Sequence, residues 1–172
     1  MMYFLDFDRT VFDTDSFVEY LKSREESRGF FESAGDTGEA LATAVRTGAL
    51  SLAPGELAPF LYPDAAAFLR EKENSVMLIT YGDPAFQKAK IQSAIAGIPR
   101  ISVMYTGMVV RKGEFLAPYI GNYGQCLLVD DQPEELAQLA DKCPDLGLYE
   151  IRRDSRPGDG RFTVIQRLSE LP

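Results

Sequence analysis

Residues 3–11 read Tyr-Phe-Leu-Asp-Phe-Asp-Arg-Thr-Val, an apolar run that ends in two aspartates one residue apart. Such a run predicts a short strand buried on both faces. In an open α/β sheet, ligands bind outside the carboxyl ends of the strands. Residues i and i+2 of a strand point the same way, so Asp6 and Asp8 are expected to face one crevice and to share a metal ion there. The alternative is an exposed turn at the end of the strand.

Further apolar runs alternate with helical patterns along the chain. The strand candidates are 76–80 (VMLIT), 126–129 (CLLV) and, more weakly, 101–105 and 146–151. The helical patterns open at Pro63, Pro84 and Pro133, and proline suits the first position of a helix. This alternation predicts an α/β fold with a doubly wound, open parallel sheet.

Residues 14–60 interrupt the alternation with helical spacing alone, which predicts a small helical cap inserted into a core of residues 1–13 and 61–172. Two pairs have the spacing of a capping box: Ser16 with Glu19, and Asp36 with Glu39. Four aromatic residues of the insertion are expected to pack in its core rather than to line an entrance. They are Phe17, Tyr20, Phe30 and Phe31.

Composition excludes several classes of function. The 172 residues carry a formal charge of −8, which disfavours binding to nucleic acid or to a membrane surface by bulk charge. Because the chain has no histidine, Ser-His-Asp catalysis and histidine zinc sites are excluded. The two cysteines, Cys126 and Cys143, form no metal or redox motif, which favours the cytoplasm. We expect Arg152 to Arg161 to form a solvated loop.

Other polar residues lie where the later runs end. Thr80 closes the run 76–80, and Asp130 and Asp131 follow the run 126–129. Lys112 stands 18 residues before Asp130, at the expected start of a short helix. Each has an ordinary alternative: a turn for Thr80, a helix cap for the aspartates and an exposed position for the lysine. Their common order along the chain favours one site.

With these residues in place, the sequence resembles the haloacid dehalogenase (HAD) superfamily, and in particular its Mg²⁺-dependent aspartyl phosphatases. Asp6 to Val11 matches the motif D-x-D-x-T/V, and Thr80, Lys112 and the pair Asp130-Asp131 match the three later motifs. The resemblance runs from residue 3 to about 151, and residues 14–60 take the place of the small C1 cap. Arg9 stands where many relatives have glycine.

The resemblance implies a phosphatase that acts on a small phosphorylated substrate. Asp6 would attack the phosphate and form an aspartyl-phosphate, and Asp8 would act as acid and base with a pKa raised by burial. Thr80 and Lys112 would hold the phosphoryl oxygens. Mg²⁺ would be held by Asp6, Asp130 and the backbone carbonyl of Asp8, with Asp131 acting directly or through water.

Lysines on the helix that opens at Pro84 are rivals for the phosphate-binding role. Lys88 and Lys90 follow Thr80, but they lie inside that helix and are expected to reach back only partly. Lys112 is therefore predicted to serve the phosphate.

Three other functions are weighed against a phosphatase. A metal-independent dehalogenase would not need Asp8 or Asp130-Asp131, and a response-regulator receiver would need its aspartate at a middle strand, where Asp64 instead follows a proline turn. An inactive HAD-like protein that binds a partner stays open. The sequence does not distinguish between phosphosugar, nucleotide, phosphoserine-like and phosphoprotein substrates.

Overall fold

The computed structural model describes residues 1–32 and 37–172, which form a six-stranded parallel sheet with helices packed against it. The strands are β1 (Met2–Asp6), β2 (Val76–Thr80), β3 (Ser102–Tyr105), β4 (Cys126–Asp130), β5 (Gly147–Ile151) and β6 (Thr163–Ile165). Their spatial order is β3-β2-β1-β4-β5-β6. The predicted doubly wound parallel sheet is thus confirmed, with one strand, β6, that the sequence analysis did not predict.

Helices connect these strands and cover the sheet. They are α1 (Thr14–Ser23), α2 (Glu25–Glu32), α3 (Thr37–Thr47), α4 (Pro63–Glu71), α5 (Pro84–Ala94), α6 (Lys112–Ile120) and α7 (Pro133–Ala140). Prolines open α4, α5 and α7 as predicted, because the N–H that proline lacks has no partner in the first turn of a helix. The longest described helices have 11 residues, and none of the described helices has the length and apolar character needed to cross a bilayer.

Sheet topology decides where a ligand can bind. β1 pairs with β2 on one side and with β4 on the other, so the strand order reverses between β1 and β4. The crevice of a doubly wound sheet opens at such a reversal, outside the carboxyl ends of the strands. Asp6 is the last residue of β1 and Asp130 the last of β4, so both lie at this crevice.

The apolar core fixes those strand ends. Phe4 and Leu5 of β1 and Leu128 and Val129 of β4 are at most 1% exposed, so side chains on both faces of these strands are buried. Such burial explains why the strands are almost continuously apolar up to their final aspartates. Because these apolar residues must all be buried, the aspartates that follow them are held at the carboxyl ends of β1 and β4.

Residues 14–60 carry α1, α2 and α3 between β1 and α4. Phe17 is buried in the main apolar cluster, and Tyr20, Phe30 and Phe31 pack against it, so packing in a core is confirmed. That core is not the insertion's own, because the same cluster contains Leu5 of β1 and Leu78 of β2. The predicted capping residue of the first helix was wrong: Asp13, not Ser16, caps α1, and its carboxylate accepts a hydrogen bond from the Ser16 N–H. The predicted pair of Asp36 with Glu39 lies outside the described residues, because Asp36 is not among them.

Candidate active site

The crevice between β1 and β4 holds two buried carboxylates and one buried ammonium. Nζ of Lys112 lies 2.6 Å from Oδ1 of Asp6 and 2.7 Å from Oδ2 of Asp130. None of the three side chains is more than 4% exposed. The structure thus brings three of the predicted site residues together, with the Lys112 ammonium between the carboxylates of Asp6 and Asp130.

Asp131 belongs to the same cluster, and Thr80 is the buried last residue of the neighbouring strand β2. Asp6, Asp130 and Asp131 each offer a carboxylate oxygen within 4.8 Å of the others. Among the described residues no hydrogen-bond partner reaches Oδ2 of Asp6, Oδ1 of Asp131 or Oγ1 of Thr80, although all three atoms are buried. Buried polar oxygens without partners are unusual in folded proteins, and at a crevice they point to a ligand that supplies the partner.

The charge of the cluster fits a divalent cation. Three carboxylates and one ammonium leave two negative charges when all are ionised, and an all-oxygen ligand set suits Mg²⁺. Oδ2 of Asp6 and Oδ1 of Asp131 have no partner among the described residues and are free for the ion. Each oxygen of Asp130 accepts one hydrogen bond, from Lys112 or from the Gln132 N–H, and keeps a second lone pair that can face the ion. The Asp8 side chain is not part of this cluster.

Burial, and after it the proximity of other charges, changes the pKa values of the three carboxylates. Burial and the neighbouring Asp6 charge raise the pKa of Asp130 well above its usual value. Burial, followed by the Asp6 charge, raises the pKa of Asp131 to about 7. Burial also raises the pKa of Asp6, although Lys112 opposes the change. A bound cation would favour the charged form of all three.

Lys112 is held in place by the contact between α6 and α7. The Lys112 backbone N–H and the Arg111 guanidinium both donate to the buried carboxylate of Glu135 in α7. Gly113 allows the two helices to approach, because a Cβ atom there would lie 2.8 Å from Cβ of Gln138. The predicted position of Lys112 at the start of a helix is confirmed.

The carboxylate of Asp8 faces α5 and the start of α1. Lys90 donates to its Oδ1 at 2.6 Å and to its Oδ2 at 2.8 Å. Thr14 donates to Oδ1 at 2.6 Å, and Gln87 donates to Oδ2 at 3.2 Å. The expectation that Lys90 reaches the site only partly was therefore wrong, because tilting toward the N-terminus of α5 brings its ammonium onto Asp8.

The predicted pKa of Asp8 was also wrong in direction. Burial raises it, but the charge of Lys90 and hydrogen bonds from Lys90, Thr14 and Gln87 outweigh burial, so the net pKa of Asp8 is lowered. Burial was the only influence on this pKa that could be expected from the sequence. A helical-face argument could have placed Lys90 on the inner face of α5, since it follows the half-buried Phe86 by four residues, but it could not have identified Asp8 as the partner.

Two arginines, Arg9 within the loop after β1 and Arg153 in contact with it, are associated with the conformation of this loop. Arg9 has a φ of +58°, a left-handed conformation that glycine adopts at low cost. Arg153 donates to the Thr10 carbonyl through Nε and Nη2 and forms an ion pair with Asp64. The Arg153 side chain is 11% exposed, so the prediction of a solvated loop was wrong at this residue.

An open cavity of about 330 Å³ connects the two halves of the site with solvent. Its lining residues are Asp6, Asp8, Tyr81, Arg111, Lys112, Gln132 and Glu135. The nucleophile candidate Asp6 and the proton-transfer candidate Asp8 therefore line the same cavity, as predicted. The expectation that their side chains share a metal ion was wrong, because Asp8 lies beyond the end of β1 and its carboxylate pairs with Lys90 outside the carboxylate cluster.

No protein-family model matches this sequence, and no curated protein matches it in sequence. Solved structures do match its fold. One, described as a haloacid dehalogenase-like hydrolase of Burkholderia xenovorans, superposes with a TM-score of 0.65 at 17% identity, over 99% of this chain and 94% of that chain. The chain has the haloacid dehalogenase-like fold.

Two further structures share the haloacid dehalogenase-like fold. The HAD-hydrolase YfnB of Bacillus subtilis, solved bound to magnesium, has a TM-score of 0.57 at 11% identity and covers 99% of this chain and 96% of its own. A dehalogenase solved with an intermediate complex has a TM-score of 0.60 at 16% identity, and the match covers 99% of this chain and 94% of the dehalogenase chain. In this fold, the four predicted motifs of the chain lie at adjacent strand ends and at the start of α6.

Proposed function

We propose that this protein is a Mg²⁺-dependent phosphatase that hydrolyses a small phosphate monoester through an aspartyl-phosphate on Asp6. One observation carries the proposal: three carboxylates meet at the end of β1 and β4, with an ammonium group between two of them and buried oxygens that lack partners. This arrangement has the charges needed to hold both a divalent cation and a phosphoryl group.

Asp6 is the proposed nucleophile. Its oxygen would attack phosphorus as the bond from phosphorus to the leaving oxygen breaks, giving an acyl phosphate and an alcohol or alkoxide. Lys112 lies 2.6 Å from Asp6 and can neutralise the phosphoryl oxygens without moving far. The Thr80 hydroxyl, buried at the end of β2 and without a partner among the described residues, is available to donate to the same oxygens.

Asp8 is the proposed proton carrier. In the first half-reaction the leaving oxygen would take a proton from Asp8, and esters of acidic alcohols would need no such proton. In the second, water would attack phosphorus, give its proton to Asp8 and release Asp6 as a carboxylate with inorganic phosphate. The lowered pKa of Asp8 favours its ionised form, which suits the second half-reaction.

Mg²⁺ would be held by Asp6, Asp130 and Asp131 and by the backbone carbonyl of Asp8. When bound, the ion would offset the negative charge of the carboxylates and of the phosphoryl group. The oxygens without partners on Asp6 and Asp131 support this choice of residues. YfnB, which shares the fold, was solved with magnesium, and that too supports the choice.

A metal-independent dehalogenase would use the same nucleophile, and a dehalogenase shares this fold. Such an enzyme would not need the carboxylates of Asp130 and Asp131 beside Asp6. Burial, followed by the charge of Asp6, raises the pKa of both groups, so their ionised forms are unfavourable there without a cation. We therefore favour the phosphatase over the dehalogenase.

The free thiols of Cys126 and Cys143 support a reducing compartment, and we propose the cytoplasm.

Assays of purified protein with a panel of phosphate monoesters would test the proposal. We expect turnover with Mg²⁺, none in EDTA, and recovery when Mg²⁺ is restored. Equal activity in EDTA would contradict the metal site. Failure to hydrolyse any ester, together with release of halide from a 2-haloacid, would support the dehalogenase, and failure of both reactions would support an inactive binding protein.

A further inference from the structure

Lys90 is a buried cation on the inner face of α5. Its side chain is 3% exposed, and its Nζ atom lies 5.5 to 5.7 Å from the ring centroids of Phe7, Phe12 and Phe86. Lysine is almost never buried to this degree unless a carboxylate pairs with it. Three aromatic rings restrict the ammonium to one position, so it can act as a fixed support for its partner.

The partner is Asp8, and within the described chain it is the only carboxylate that pairs with Lys90. Nζ contacts both of its oxygens, so both the position of the carboxylate and the rotation of its plane are restricted. Thr14 and Gln87 add one hydrogen bond to each oxygen. The Asp8 carboxylate thus accepts four hydrogen bonds, which fix it in the orientation of a proton acceptor.

Stability alone is a weak explanation for this pair. A buried ion pair contributes little compared with apolar side chains of the same volume, because both groups lose their hydration. Asp8 nevertheless lines the cavity that Asp6 also lines, and its side chain is 29% exposed. A rigidly held acceptor at that point would be useful in a reaction that removes a proton there.

We propose that Lys90 is the positioning residue of Asp8 and that it acts mainly in the second half-reaction, the hydrolysis of phosphorylated Asp6. The inference rests on the proposed phosphatase function. In this step a water oxygen bonds to phosphorus, its proton passes to Asp8, and the bond from phosphorus to the Asp6 oxygen breaks. Lys90 forms and breaks no covalent bond and keeps its protons; it holds the acceptor in place.

The test is Lys90→Met assayed with 4-nitrophenyl phosphate and Mg²⁺. This ester has an acidic leaving group, so formation of the acyl phosphate needs little proton transfer, and kcat/KM reports that step. We expect kcat to fall about tenfold or more while kcat/KM stays within about threefold, because KM falls with kcat when phosphorylated Asp6 accumulates. Rapid quenching should show a burst of 4-nitrophenol and phosphate bound to Asp6.

Lys88→Met is the matched control, since Lys88 is exposed on the same helix two residues earlier. It should show wild-type kcat and no burst beyond that of the wild type. A Lys90→Met protein whose kcat and kcat/KM fall equally, without extra phosphorylated Asp6, would overturn the inference. An unchanged kcat would also overturn it.

A second comparison covers the case in which Lys90→Met alone folds poorly. Asp8→Asn and the double variant Asp8→Asn/Lys90→Met should have the same kcat within about twofold, because Lys90 acts only through Asp8. A slower double variant would assign Lys90 a separate role and overturn the inference. A wild-type protein that turns over no phosphate ester would overturn the proposed function and this inference together, whereas the other results leave the proposed function intact.

Discussion

Lys112 and Asp6 are 106 positions apart in the sequence, yet Nζ of the lysine lies 2.6 Å from Oδ1 of the aspartate. The same ammonium reaches Asp130, so it connects the ends of two adjacent strands. Removing it would leave two buried carboxylates facing each other without a cation, which explains the first prediction.

We expect Lys112→Ala to lower kcat/KM at least about a hundredfold, by analogy with the loss of a donor that stabilises an oxyanion. Lys88→Ala is the control, and its activity should stay within a few-fold of wild type because Lys88 is exposed. Steady-state kinetics with Mg²⁺ would measure both. A Lys112→Ala enzyme with near-wild-type kcat/KM would show that groups other than Lys112 stabilise the phosphoryl oxygens.

The second prediction concerns the nucleophile. Asp6→Asn should fold but lose essentially all turnover, because an amide is a poor nucleophile and carries no charge for a metal. Thermal unfolding would check the fold, and mass spectrometry of quenched wild-type enzyme should locate the phosphoryl group on Asp6. Asp8→Asn is the comparison, and it should still become phosphorylated with an activated ester while turning over slowly. Phosphate found on a different residue would refute this assignment.

The third prediction concerns pH and the metal-free protein. The pKa of Asp131 is raised from 3.8 to about 7, so between these values the folded state binds more protons than the unfolded state. The free energy of unfolding must then fall as pH rises through this range. We expect the Tm in EDTA to be several degrees higher at pH 5 than at pH 8, with part of the difference due to Asp131.

Asp131→Asn should reduce this fall in Tm, and so should Mg²⁺ added to the wild-type protein. Asp145→Asn, which changes an exposed aspartate, should leave the fall unchanged. If the Tm of Asp131→Asn and that of the wild type fell by the same amount between pH 5 and pH 8, Asp131 would not be a cause of the fall.

The fourth prediction concerns the contact between α6 and α7. Gly113→Ala would place a methyl group 2.8 Å from Cβ of Gln138, so α6 must move and take Lys112 with it. Overpacking of this kind costs about 1 to 3 kcal/mol, and a misplaced catalytic group costs about tenfold or more in rate. Unfolding by urea and kcat/KM would measure the two effects.

Gly121→Ala is the control at the other end of α6. Gly121 has no heavy atom within 4 Å of an added Cβ and an ordinary helical conformation, so the change should be nearly neutral. Equal effects of the two substitutions would argue against the close helix contact as the support of Lys112.

Much of the fold could be predicted from the sequence because the central strands are buried on both faces. The run 76–80 is a strand over those same residues, and aspartates end β1 and β4 as expected. The short edge strand β6 was missed because only one of its three residues, Ile165, is buried, which leaves little apolar pattern to detect.

The site was predictable where residues lie at strand ends and less so where they lie on helices. A strand end fixes the direction of Asp6, whereas the reach of Lys90 depends on how α5 packs against β1, which the local sequence does not determine. The pKa of Asp8 depends on that same packing, because its partners come from α1 and α5. Sequence spacing alone could not foresee a partner 82 positions away.

The contact between Arg153 and the Thr10 carbonyl spans 143 positions of the chain. A growing polypeptide therefore presents its catalytic loop long before the side chain that secures it has been made. Since synthesis proceeds from the N-terminus at about 5 to 20 residues per second, the loop of Asp8 and Arg9 waits roughly 7 to 30 seconds for this anchor. Nascent chains released before Arg153 would carry every residue of the proposed mechanism and still lack the support that orders their first loop.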